Sequence, residues 1–150
     1  MSLQNWWQNS WLVKHTPTPD EIANLLAISD RDLAASRVKN LPSDWRFAIA
    51  YNSALQAAAA ALAAAGYKAS RDNHHYRVIH SLEFTTAPGG AFINLFDSFR
   101  KKRNLSSYDV AGAISEKEVD EMFQLAFQLR ADVESWIKAT HSGLILKARS

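Results

Sequence analysis

The sequence predicts an all-α fold, an antiparallel up-and-down bundle of about five main helices. Three observations predict it. "TPDE" at 18–21 and "SEKE" at 115–118 each set a hydroxyl three residues ahead of a glutamate, the signature of a capping box. The segment after the second box keeps apolar residues at three-four spacing. No segment alternates convincingly with period two, and five glycines and four prolines leave little material for a turn-rich β fold.

The elements follow in order. Thr18 caps the first main helix, with Pro19 at its first position, and Ile22, Leu25, Leu26, Ser29 and Leu33 at helical spacing. "LPSDW" at 41–45 breaks the chain, and Ser43 is placed to cap the next helix. That helix is rich in alanine, a strong helix former that also lets a neighbour approach closely, and Gly66 stops it. A third helix is expected over 73–85, with Val78, Ile79 and Leu82 inward, ended by "APGG" at 87–90. A fourth covers about 91–104. The last carries Val119, Met122, Ala126, Leu129, Val133 and Trp136, and the tail after His141 is expected to fray.

Length favours one domain over 1–150, with no internal repeat or linker. With no cysteine, disulfides and thiolate metal sites are excluded, and a reducing, cytoplasmic setting fits. The amino terminus lacks the pattern of a secretory signal. The small-residue run from Ala54 to Gly66 is too short to span a bilayer, so no membrane is expected. Net charge is +2, so affinity for nucleic acid requires a local patch.

Such a patch stands at "FRKKRNLSSYDV", residues 99–110. Phe92, Phe96 and Phe99 make one apolar stripe, and four residues on, that stripe reaches Arg103. An arginine on the core side is costly unless paired or at an interface, and its planar fork suits a phosphate. Arg100, Lys101 and Lys102 fan over the other faces as nucleic-acid-binding candidates. The plain alternative is a cation cluster that complements the helix dipole. Asn104, Ser106 and Ser107 favour leaving the helix, after which Tyr108 and Asp109 could fold back near Arg103.

These residues resemble the HEPN family of small all-helical domains. "AYNSALQAAAAALAAAGY" at 50–67 is similar to the family's long alanine-rich helix. "RKKRNLSSYD" at 100–109 is similar to its signature, an arginine and a polar residue followed at four to six positions by a histidine. The resemblance covers about 40–140. It implies a homodimer that joins two signatures in a cleft, and metal-independent RNA cleavage by a toxin or defence effector, with an antitoxin protein as a partner. It implies no cofactor. Arg103 would stabilise the scissile phosphate and Asn104 would orient it. Tyr108 stands where the family has its histidine. That departure keeps open a non-catalytic module that binds a nucleotide, RNA or a protein, and a purely structural interaction protein.

His74, His75 and His80 lie upstream. Adjacent histidines point to different helix faces, and no HExxH pattern occurs, so no metal site is expected. His75 falls on the stripe with Ile79 and Leu82, which predicts a buried, hydrogen-bonded ring. His74 or His75 is also the accessory candidate to supply the imidazole absent at 108. Trp6, Trp7 and Trp11 form an aromatic cluster, with Trp7 and Trp11 four apart on one helix face, expected to cap the core. Asp30, Arg31, Asp32 and the acidic residues of 116–121 read as solvated helix faces.

Overall fold

The computed structural model describes the backbone of residues 1–108 and 114–145, and the side chains of these except 105–108. It is an all-α helical bundle. The described elements are α1 (Leu3–Gln8), β1 (Leu12–Lys14), α2 (Pro19–Ala35), α3 (Ser43–Ala64), β2 (Tyr67–Ala69), α4 (His74–His80), α5 (Gly90–Tyr108) and α6 (Glu116–Thr140). The five helices expected from the sequence correspond to α2–α6. A short α1 and a two-stranded antiparallel ribbon add to them, with Leu12 opposite Ala69 and Lys14 opposite Tyr67. Three-residue strands are too short for alternation to show in the sequence.

Helix α3 is the axis of the fold, with α2, α4, α5 and α6 all packed against it. Its alanines explain how. Ala54, Ala57, Ala58, Ala60 and Ala61 are fully buried, so the helix is enclosed on nearly every side. Alanine brings neighbouring backbones close, and the polar groups trapped there satisfy one another. The Ser29 hydroxyl of α2 donates to the Ser53 carbonyl at 2.9 Å, and the Ser53 hydroxyl donates to the Ser29 carbonyl at 2.7 Å. At 22 residues α3 is long and apolar enough to cross a membrane, but most of it is buried inside the bundle, as a core helix would be. Ala61→Leu should force this packing apart and cost about 1–3 kcal/mol. Chemical denaturation checks it, and an unchanged midpoint would refute the close packing.

Several local expectations hold. Thr18 caps α2, accepting from the Glu21 N–H, and the Ser115–Glu118 capping box is complete. Gly66 follows α3 at φ +99°, a conformation that favours glycine. Others need correction. Ser43 does not cap α3. Pro42 takes that position, and the Ser43 hydroxyl donates instead to the Ile114 carbonyl at 2.7 Å, tying the start of α3 to the approach to α6. The segment 73–85 is a short α4 followed by a 3-10 turn over Ser81–Phe84. Asp32 is not on a solvated face: it is buried, accepting from Asn52 of α3 at 2.6 Å and Arg31 at 3.0 Å. In α6 the fully buried partner of Val133 is Ile137, while Trp136 is half-buried. The tail beyond His141 continues as a 3-10 turn over Ser142–Leu144, and Leu144 and Ile145 pack on the core.

The tryptophans divide. Helix α1 ends at Gln8, so Trp7 and Trp11 do not share a helix face. Trp6 is buried, with its ring edge-on to Trp11 at 5.8 Å and to Phe84 at 5.3 Å. The Arg77 guanidinium of α4 lies 3.9 Å from the Trp11 ring centre and 5.5 Å from that of Trp6. The amino-terminal segment thus grips α4 by its arginine, and the ribbon holds the strand just before it.

Candidate active site

Helix α5 is seated by aromatic contacts. Phe99 meets Phe47 edge-on at 5.5 Å, and Phe96 meets Tyr51 at 5.9 Å, both partners belonging to α3. The next position of that stripe is Arg103, as its spacing predicts. Arg103 is half-buried, and its guanidinium carbon lies 5.4 Å from the Tyr51 ring centre. The arginine is therefore drawn over the face of a core tyrosine at the end of the stripe.

Tyr51 links the arginine to a histidine. Its ring is 1% exposed, and its hydroxyl lies 3.1 Å from Nδ1 of His75 on α4. Burial pushes the Tyr51 phenol up to about 12, against the opposing pull of Arg103 and Arg100, so it keeps its proton. His75 is half-buried. Burial lowers its pKa most, and the charges of Arg103, His74 and Arg100 lower it further. The ring is therefore neutral at neutral pH. With Nδ1 engaged by Tyr51, Nε2 is the nitrogen left for a substrate. His75 is hydrogen-bonded, as expected, and its partner Tyr51 is the ring that the Arg103 guanidinium covers.

Asp97 organises the cations beside this group. It is 8% exposed, one turn before Arg100. Its carboxylate accepts from Arg100 Nε at 2.8 Å, with Lys101 at 3.6 Å and His80 at 3.7 Å. Burial raises its pKa, but the Arg100 hydrogen bond and the neighbouring charges outweigh this and hold it below the usual carboxylate range. The His80 ring lies on Tyr76, centres 4.1 Å apart, and Arg100 lies 5.6 Å from Tyr76. Lys102 turns the other way and pairs with Glu118 of α6.

The candidate residues are thus distributed as follows. Arg103 and His75 meet on Tyr51, while Arg100 and Lys101 gather on Asp97, with Arg100 also near Tyr76. His74 adjoins His75, their ring centres 6.0 Å apart. Asn104 is exposed. The expectation that the polar stretch leaves the helix fails, since α5 runs on through Tyr108. A helix already docked by its phenylalanines overrides the weak local preference of Asn104, Ser106 and Ser107. The Tyr108 side chain and Asp109 lie outside the described residues. Among the described residues, no three His, Cys, Asp or Glu side chains gather as a metal-binding group.

Tyr51, Asp97 and Arg77 were not singled out from the sequence. Tyr51 had a usable signal: with Phe47 it forms an i, i+4 aromatic pair on the alanine-rich helix, and a buried phenol needs a hydrogen-bond partner. Asp97 sits between two buried phenylalanines of the stripe, where an unpaired carboxylate would be costly. No family model, curated protein or solved structure matches the chain.

Proposed function

We propose that the α4–α5 site binds single-stranded RNA and cleaves it without a metal ion, as the resemblance to HEPN domains implies. The observation that carries the reading is the His75 ring, hydrogen-bonded to the buried Tyr51, whose own ring lies under the Arg103 guanidinium. It offers an imidazole for the position that Tyr108 leaves unfilled. In the proposed reaction His75 Nε2 removes the proton of the ribose 2′-hydroxyl, and that oxygen attacks the adjacent phosphorus. Arg103 stabilises the added negative charge. The bond to the 5′-oxygen breaks, and the proton held on His75 passes to it, leaving a 2′,3′-cyclic phosphate and a 5′-hydroxyl. The step uses the tautomer in which Nδ1–H donates to the Tyr51 oxygen, so Tyr51 fixes the orientation of the ring and leaves Nε2 free to take a proton. Two copies of the chain would place two such sites in one cleft, and an antitoxin protein would act by covering it.

The test is cleavage of total RNA in chelator by the native chain and by His75→Ala, followed across pH 5–8. His75→Ala should lose about 10²–10⁴-fold in rate. The base must be neutral to act, and its pKa is lowered from 6.5. The native rate should therefore stay level on acidification through 6.5 and fall at lower pH, with no such limb in the variant. The same shift also weakens the fold in that range, because the unfolded chain takes up the proton first, so circular dichroism is recorded at each pH. A His75→Ala protein that cleaves at the native rate would overturn this assignment. Salt-dependent RNA binding without cleavage by the native chain would favour the non-catalytic module.

A further inference from the structure

On the other flank of α4, away from Tyr51, the structure holds a cleft of about 230 Å³ bounded by α2, α3, β2 and α4. It exists because α3 presents Ala59 and Ala63 there, where longer side chains would fill the space. Leu25, Tyr67 and Val78 complete the apolar wall. Polar groups stand at the rim. His74 lines the cleft, and Glu21 and Lys68 border it. The Glu21 carboxylate is held in place by His15 Nε2 at 2.6 Å on one oxygen and by Lys68 Nζ at 3.2 Å on the other. Each of these oxygens has a further lone pair, and an ionised carboxylate only accepts.

A narrow apolar slot with an acceptor at its mouth suits a flat heteroaromatic ring that carries a donor. The slot is smaller than a site for a drug-sized ligand. His74 stands between the cleft and the site already described: it lines the cleft, and its ring centre is 6.0 Å from that of His75. We infer that this cleft is a base subsite: it takes an unpaired nucleobase bearing an exocyclic amino group, as adenine, cytosine and guanine do and uracil does not, on the strand whose phosphate lies at Arg103. Glu21 accepts from the amino group, and the alanine floor and Leu25 cover the ring. Uracil presents a carbonyl oxygen at the equivalent position, which the carboxylate repels. This inference rests on the RNA reading above.

The test uses fluorescence anisotropy with short single-stranded oligonucleotides of A, C or U carrying 2′-O-methyl sugars, which have no attacking hydroxyl. The native chain should bind the A and C oligonucleotides about tenfold more tightly than U. Ala59→Leu fills the floor and should bring all three to the U level. Glu21→Gln keeps the shape, removes the charge and should reduce the preference for A and C without lowering the affinity for U. Glu21→Gln carries the test if a thermal melt shows that Ala59→Leu does not fold. Equal native affinity for the three, with binding lost in Arg103→Ala, would overturn the base subsite and leave the phosphate reading standing. No binding of any of the oligonucleotides would overturn both.

Discussion

Arg103→Ala is expected to slow RNA cleavage by about 10²–10³-fold, the usual cost of removing one preorganised donor to a developing oxyanion. The loss should appear mainly in kcat, because the charge it meets grows in the transition state. Arg103→Lys keeps the charge but not the planar fork, so it should recover only part of the rate. A purely structural arginine predicts another pattern. Its removal would uncover the Tyr51 ring and lower the melting temperature, and lysine would restore stability and activity together. Single-turnover cleavage in chelator, with thermal melts of all three proteins, separates the two. An Arg103→Ala protein as active as the native chain would leave the cations as a helix end that complements the dipole.

Phe47→Ala should be the most damaging of the stability variants, at about 3–5 kcal/mol. Phe47 is fully buried and joins α3 to α5 through Phe99. For a chain of this size, the melting temperature should drop by roughly 6–20 °C. Because Phe99 is one turn before Arg103, the cavity also removes the support that aims the arginine at Tyr51. A drop of under about 2 °C, equivalent to less than 1 kcal/mol, would mean that α5 is held chiefly by other contacts.

The parts of this fold that were legible in the sequence are those set by local rules. The Thr18 cap, the Ser115–Glu118 capping box, the glycine after α3 and the stripe from Phe92 to Arg103 depend on neighbours within one or two turns, and each is found where it was expected; the box expected at 18–21 is only half made, because the Glu21 side chain bonds His15 and Lys68 instead. What escaped depends on contacts across the chain. Ser43 is a good capping residue, yet it bonds Ile114, 71 positions away. Asp32 looks like part of a charged surface run until Asn52 arrives from α3. The site was half legible. Arg103 could be found from spacing, and His75 from its stripe. Their meeting at Tyr51 could not, because it depends on how α4 and α5 dock on α3.

The grip of the amino-terminal segment on α4 has a consequence for biosynthesis. Ser10 bonds Ser70, 60 residues on, and Trp11 must wait for Arg77. Closing so long a loop carries an entropic cost that grows only slowly with its length, so the distance is affordable at equilibrium. It matters on the ribosome. Residues 6–14 emerge before their partners have been made, at a few to about 20 residues per second, and Trp6 and Trp11 stay unsheltered until α4 follows. Residues 6–14 find their place only once residues 67–84 have been made. Any factor that shields a nascent chain would meet Trp6, Trp7 and Trp11 before it meets the helices that carry the site.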